Sequence, residues 1–474
     1  MHHALFVSDI VSLILDCFFL DGALADEQGG PYIVDCPTLA SCARTCQAFH
    51  TPAIKGLWKY HDLDLETVLL HCMPTDVWEI RRETSPTNSA AVVDYMILKR
   101  PVTPEDMSRL LVIAPLINML TVGEHRSIML AQESYSFISS FLPKGVSSAI
   151  QYLHLDYRST KPESLHPLIT PTLAVHSPHI SDFEVHLPYD DGDGVGSSAR
   201  REVSDVLRTW SLRRLRAEGR DYNLLADLSQ SSTIKHLDLK FRDDSLKPQS
   251  VDFHPMSFAA LQDLCLDNVD MRVAIALLKK SNFDTLYELC LDPVHTVSRD
   301  WPELYRTINS AIIRPESMMT LVIEPSDMSL DHLHESSGPM TNKDLIPFFQ
   351  FRNLTTLALR HPGGFDVGSS TIECLAEALP HLTTFALSSM KQPRCQPRAG
   401  LHVLESLAMH CPELRSVGLT LDARGTSFRS PPPSYKGTEI QFDFGRDGHE
   451  GEVEEDDESS LDEEDVESSD DESD

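Results

Sequence analysis

An apolar-x-x-apolar-x-apolar pattern recurs eleven times along the body of the chain. Its copies are Ile117/Leu120/Val122, Ile150/Leu153/Leu155, Ile180/Phe183/Val185, a weaker Leu212/Leu215/Ala217, Ile234/Leu237/Leu239 and Leu261/Leu264/Leu266. They continue as Leu286/Leu289/Leu291, Met318/Leu321/Ile323, Leu354/Leu357/Leu359, Leu382/Phe385/Leu387 and Leu414/Val417/Leu419. Successive central residues are 22 to 36 positions apart. The last two apolar positions of each copy are two residues apart, the spacing of a short strand with one buried face. Between several copies lie runs of helical periodicity: VSDVLRTW, RVAIALLKKS, ELYRTINSAII, TIECLAEAL and HVLESLAM.

One strand–helix unit cannot bury its apolar side alone. Stacked units share a continuous core and a parallel sheet, which predicts an α/β leucine-rich-repeat solenoid over residues 111–424. A doubly wound α/β domain would have longer strands and a phosphate-binding loop after one of them; the sequence has neither.

The first 60 residues follow a different period. SDIVSLILDCFF predicts a helix with Ser8 at its cap and Asp9 in its first turn. Phe6, Ile10, Leu13, Ile14, Cys17 and Phe18 form its apolar face, and Asp9, Ser12 and Asp16 its polar stripe. Residues 21–37 hold Gly22, Gly29, Gly30, Pro31 and Pro37, the composition of a loop. TLASCARTCQAF predicts a second helix through Leu39, Cys42, Ala43, Cys46 and Phe49. Thr51-Pro52 predicts the start of a third, carrying Ile54, Leu57 and Trp58. Three short helices offer more apolar surface than they can bury among themselves, which implies a partner. Residues 61–110 are expected to be a helical connector. Residues 425–449, with Pro431-Pro432-Pro433, read as an extended linker.

Charge changes the picture at the C-terminus. Residues 450–474 hold sixteen Asp/Glu and no Lys/Arg, half of the formal net charge of −32. This segment is predicted to be disordered. Ser459, Ser460, Ser468 and Ser469 each precede an acidic residue by three positions, the pattern of an acidophilic kinase site. An acidic body with an acidic tail argues against nucleic-acid binding, which needs clustered Lys/Arg. Ala23-Leu24-Ala25 looks like a cleavage site, but no basic residue precedes the apolar run and Asp9 and Asp16 interrupt it. No stretch has the apolar length of a membrane span. The ten cysteines form no CxxC, as expected of small core hydrophobes in a reducing compartment. The chain is expected to be soluble, cytoplasmic and/or nuclear.

Candidate chemistry is sparse. Cys42, Cys46 and His50 are spaced i, i+4, i+8 with Cys36 as the nearest fourth ligand, but two of the cysteines lie on an apolar face and core packing is the expectation. The loop Asp190-Asp191-Gly192-Asp193-Gly194-Val195-Gly196 lacks both the spacing of a calcium loop and the Lys-Ser/Thr of a phosphate loop. No nucleophile elbow or His-Glu-x-x-His pattern is present, so no enzymatic activity and no cofactor are expected. Strand alternation sends Asp263, Cys265 and Asp267, then Glu288, Cys290 and Asp292, then Thr320, Val322 and Glu324 to the concave face. Asp263, Asp267, Glu288, Asp292 and Glu324 are predicted to form one negative band that takes a basic segment of a protein substrate. The flanking rows are mixed before it (Arg214, Arg216, Asp238, Lys240) and small after it (Thr356, Ala358, Thr384, Ala386, Ser416, Gly418).

The N-terminal phrases SDIVSLILDCFF, LASCARTCQAF and PAIKGLW resemble the F-box, the adaptor-binding module of cullin–RING ubiquitin ligases. HHALFVSDIV, LLHCMPTDVWE, RPVTPEDM and CPELRSVGL look like the large F-box family of mushroom-forming (basidiomycete) fungi. Val7-Ser8 stands where F-boxes usually have Leu-Pro. The resemblance implies docking of residues 1–60 on a Skp-type adaptor, and so on a cullin complex, through Ile10, Ile14, Leu15, Phe18, Leu39, Ile54, Leu57 and Trp58. The solenoid would then hold a protein substrate. The alternative is a repeat-type scaffold outside any ligase, whose acidic tail binds basic proteins.

Overall fold

A computed structural model describes residues 8–16, 36–60, 63–84, 92–123, 128–131, 134, 149–156, 177–187, 203–219, 228, 231–241, 253–294, 300–325, 338–389 and 397–422. Phe6, Cys17, Phe18, the glycine-rich loop at 190–196, the linker and the acidic tail with Ser459, Ser460, Ser468 and Ser469 lie outside them.

The body is an α/β solenoid built on one parallel sheet of twelve strands, resembling a leucine-rich-repeat fold. In chain order the strands are β1 (Leu63–Asp64), β2 (Met119–Gly123), β3 (Tyr152–Asp156), β4 (Asp182–His186), β5 (Arg214–Gly219) and β6 (His236–Phe241). β7 (Asp263–Asp270), β8 (Glu288–Val294), β9 (Thr320–Ile323), β10 (Thr356–His361), β11 (Thr384–Ser389) and β12 (Ser416–Leu419) follow. Spatial order equals sequence order, so each repeat pairs with the one before and after it.

The eleven central apolar residues, Leu120 through Val417, are direct cross-strand partners in one unbroken row. Side chains on one pleat face share one side, so this row and the apolar positions flanking it merge into a single core. Every apolar residue of the eleven copies is buried except Leu419, half-buried on the last strand. Burying one such side chain contributes about 1.5–3 kcal/mol, and the cost of ordering each repeat is met by this shared ladder.

Helices cover the buried face where the sequence predicts them: Met271–Lys280, Trp301–Ala311, Ser369–Ala378 and Val403–His410. The first shows the local causes plainly. Asp270 caps it by accepting from the N–H groups of Arg272 (2.9 Å) and Val273 (3.3 Å), and Lys279 and Lys280 close its last turn. Met271, Val273, Ala274, Leu277 and Leu278 line its buried face. VSDVLRTW yields only a short helix over residues 203–207. β7 bulges at Asn268, which has φ of 53°; asparagine tolerates the left-handed region better than most residues.

Two expectations are corrected here. Residues 61–110 are not a helical connector. They start with β1, a twelfth sheet strand whose Leu63 pairs with Leu120, and a helix, Leu65–Cys72, capped by Asp64. An antiparallel hairpin follows, Trp78–Thr84 with Val92–Leu98, and Ile128–Leu130 adds to it in parallel. The cause is local: Val92-Val93-Asp94-Tyr95-Met96-Ile97-Leu98 is dense in β-branched and aromatic residues. The segment is tied down by Arg100, which donates to Asp106 at 2.7 and 2.9 Å and to Asp76 at 2.8 Å. Arg100 and the backbone of Thr103 hold the Asp106 carboxyl well below the usual range.

The second correction concerns helix boundaries near the N-terminus. The described helices are α1 (Ser8–Asp16), α2 (Cys36–Thr45) and α3 (Gln47–Tyr60). α2 begins two residues inside the expected loop, and the break falls at Cys46 rather than at Thr51. Pro52 sits inside α3 as its sixth residue, where it removes the bond an N–H at that position would give to the Ala48 carbonyl. Val11, Leu15, Leu39, Ala43 and Ala53 form a small core between these helices.

Candidate interaction surfaces

The residues flanking each buried centre stand on the open face of the sheet. One row runs Tyr152, Asp182, Arg214, His236, Asp263 and Glu288, then Thr320, Thr356, Thr384 and Ser416. A second runs His154, Glu184, Arg216, Asp238, Cys265 and Cys290, then Val322, Ala358, Ala386 and Gly418. A third runs Asp156, His186, Glu218, Lys240 and Asp267. Neighbouring strands place these side chains about 4.8 Å apart, so their chemistry is set by their cross-strand neighbours.

Arg216 holds the first half of this face together. Its Nε donates to Asp238 Oδ2 at 2.7 Å, and its Nη1 lies 3.6 Å from Glu184 Oε2. Tyr152 donates its hydroxyl to Glu184 at 2.7 Å. Burial alone would push the Glu184 carboxyl up; hydrogen bonds from His186 and Tyr152, with His154 and Arg216 nearby, bring it down to about 2. Asp238 moves the other way, because burial there outweighs the help of Arg216 and Asp267 adds repulsion. The Cys265 thiol is pushed up by its contact with Cys290, by burial and by Asp267.

The five carboxylates predicted to line one band occupy the expected face but not one continuous stripe. Asp263 and Glu288 are register partners in the first row. Cys265 and Cys290 separate them from Asp267 in the third, and the bulge at Asn268 shifts the register before Asp292. Asp263 pairs with His236, and Asp267 stands opposite Lys240. Basic neighbours on β5 and β6 therefore border the band, while Glu288 and Glu324 are exposed.

The residues assigned to an adaptor also divide. Ile10 and Ile14 are 38% and 40% exposed on α1, and Leu13 beside them is 65% exposed. Leu15 and Leu39 are buried in the small helical core and cannot meet a partner there. Ile54 and Leu57 are half-buried against that core. Trp58 packs instead on the solenoid core, so it joins the helices to the repeats. Phe18 lies outside the described residues. Of the cysteines near the N-terminus, Cys36, Cys42 and Cys46 are half-buried thiols, and His50 Nδ1 lies 3.0 Å from the Ala43 carbonyl oxygen.

The sequence reading passed over His154, Asp156, Glu184, His186 and Glu218. Their signal was present: His-x-Asp on β3 and Glu-x-His on β4 fall at the same phase of consecutive repeats. The donor atoms of His154, Asp156 and His186 lie within 4.8 Å of one another, as do those of Asp238, Cys265 and Asp267. Among the described residues no helix is long and apolar enough to cross a membrane.

No protein-family model matches the chain, and no curated protein does. Among solved structures, the crystal structure of the Rad7 and Elc1 complex in yeast contains a similar chain. It is 14% identical with a TM-score of 0.35, and the match covers 91% of this chain and 92% of that one.

Proposed function

We propose that the chain is a substrate-recognition subunit of a cullin–RING ubiquitin ligase. α1 docks on a Skp-type adaptor and the open face of the sheet holds a protein substrate. The observation that carries this reading is the apolar stripe Ile10–Leu13–Ile14, exposed on a helix whose opposite side is already packed. Exposed apolar residues gathered on one helix face mark a binding surface better than scattered ones do. The F-box resemblance of the same segment supplies the class of partner. No chemistry is asked of this chain; its role is to hold two proteins at a fixed separation. The location would be cytoplasmic and/or nuclear.

The test is co-purification with a Skp-type adaptor. Ile10→Asp/Ile14→Asp should lower adaptor affinity about 100-fold, as loss of central apolar anchors does, and leave the thermal transition of the solenoid unchanged. Undiminished adaptor binding by the folded double variant refutes the docking surface. Capture of basic proteins by a chain that binds no adaptor would favour the scaffold reading.

A further inference from the structure

We propose that His154, Asp156 and His186 form a site for one divalent transition-metal ion of the zinc type, on the open face between β3 and β4. His154 and Asp156 alternate along β3, and His186 is the register partner of Asp156 on β4. Strand spacing alone brings the three together, with all ligand atoms within 4.8 Å of one another.

The geometry of His186 favours a ligand. Its Nε2 lies 3.2 Å from Glu184 Oε1, so that nitrogen donates there, and in the neutral ring the lone pair is on Nδ1. A carboxylate holding the far nitrogen in this way is the arrangement that orients metal-bound imidazoles. Nδ1 faces Asp156 Oδ2 at 3.8 Å, too long for a hydrogen bond. Two ligands of a tetrahedral ion with bonds near 2.1 Å are separated by about 3.4 Å, so a small closure suffices. The His154 and His186 rings meet edge to face with centroids 4.9 Å apart, which brings the second imidazole to the same place.

Charge points the same way. Asp156, Glu184 and Glu218 all lie within 3.8 Å of the His186 ring, with side chains 2%, 14% and 11% exposed. Three carboxylates around one ring make these surroundings negative, which favours a divalent cation over an anion. Two imidazoles and a carboxylate, with no thiolate, suit zinc, nickel or cobalt better than calcium or magnesium. Three protein ligands leave a fourth position, which water would fill.

The experiment uses the full chain, stripped with a chelator and dialysed. It is titrated with zinc against a chromophoric chelator, and with cobalt(II), whose visible bands report four-coordinate nitrogen and oxygen ligands. The wild-type protein should bind one equivalent more than His154→Ala/His186→Ala and should melt higher with zinc, a shift the double variant lacks. Glu184→Gln should weaken binding about 10- to 100-fold while keeping the stoichiometry. Asp156→Asn, nearly isosteric, should weaken it further. Equal stoichiometry in the wild type and the double variant overturns the site, as does a wild type that binds no ion. If the double variant fails to fold, unchanged affinity in folded Asp156→Asn overturns it equally.

Discussion

Strands β3–β6 and strands β9–β12 bury the same kind of side chain. Leu153, Phe183, Leu215 and Leu237 stand in one register row with Leu321, Leu357, Phe385 and Val417. Their open faces have nothing in common. The first set carries Tyr152, His154, Glu184, His186, Arg214, Arg216, Asp238 and Lys240, tied across strands by hydrogen bonds and ion pairs. The second carries threonine, serine, alanine, valine and glycine, apart from Arg360 near the end of β10. The repeat therefore fixes the fold through one face and leaves the other to vary. The charged half can select a partner by pattern, and the small half lets a partner's backbone or apolar bulk approach closely. Gly418 belongs to that half: a Cβ there would stand 3.2 Å from the Ala386 Cβ.

The division of labour between faces breaks most readily at adjacent residues of one strand. Leu289 is fully buried in the central row, and Cys290 is half-buried on the open face. Leu289→Ala should cost about 3 kcal/mol, within the usual range for a core leucine. Cys290→Ala should cost under about 1 kcal/mol. Urea unfolding of the two variants measures this, and equal costs would mean that the open face is also a packing face.

A second effect separates the halves by pH. Burial pushes the His361 imidazole on β10 down from 6.5 to about 4, despite the nearby Asp344. Its Nδ1 accepts the Gly363 N–H at 3.1 Å, a bond the neutral ring alone can make on that nitrogen. The folded state thus resists a proton that the unfolded chain accepts. The contribution is complete above pH 6.5, declines as pH falls, and stops declining near 4, with a total on the order of 3 kcal/mol. His361→Phe should flatten the stability curve over that window. An unchanged acid slope would show that the charged half governs acid sensitivity instead.

These contrasts also mark what the sequence made legible. The eleven repeats were readable because a period-two apolar pair recurs at each strand, and every predicted centre is a register partner of the next. β1 escaped because two residues, Leu63 and Asp64, show no period. The hairpin at 78–98 escaped because its apolar residues lie between two stronger patterns. On the site side, the alternation placed Asp263, Glu288 and Cys265 on the correct face. It could not show that Asp263 would meet His236, or that Leu15 and Leu39 would face inward. Those outcomes depend on which neighbour lies across a strand or helix, information that a one-dimensional pattern does not hold.

The third effect tests whether Arg216 organises the charged half. Arg216→Ala would leave Glu184 and Asp238 half-buried without the cation between them. With the Arg216 side chain 33% exposed, water offsets part of the loss, and the cost should be about 1–2 kcal/mol. Thr356→Ala on the neutral half should stay within about 0.5 kcal/mol. Denaturant midpoints compare the two, and a silent Arg216→Ala would reduce the ion pairs to surface decoration.

The smallest effect lies where the two halves meet. Asp263 and Glu288 are register partners of one charge sign, yet their surroundings differ. Asp263 bonds His236 on β6, whereas Glu288 is exposed and accepts from the Cys290 thiol at 3.3 Å. A hydrogen bond of the first kind contributes about 1 kcal/mol, and an exposed carboxylate contributes within about 0.5 kcal/mol. Asp263→Ala should therefore destabilise measurably, and Glu288→Ala should not. A double-mutant cycle of Asp263→Ala with His236→Ala isolates the pair, with an expected coupling of about 0.5–1 kcal/mol. A coupling near zero would place Asp263 with Glu288, as a carboxylate kept at the surface for a partner. A clear coupling makes it the last member of the charged network, and the substrate surface proposed for the open face then begins at β8.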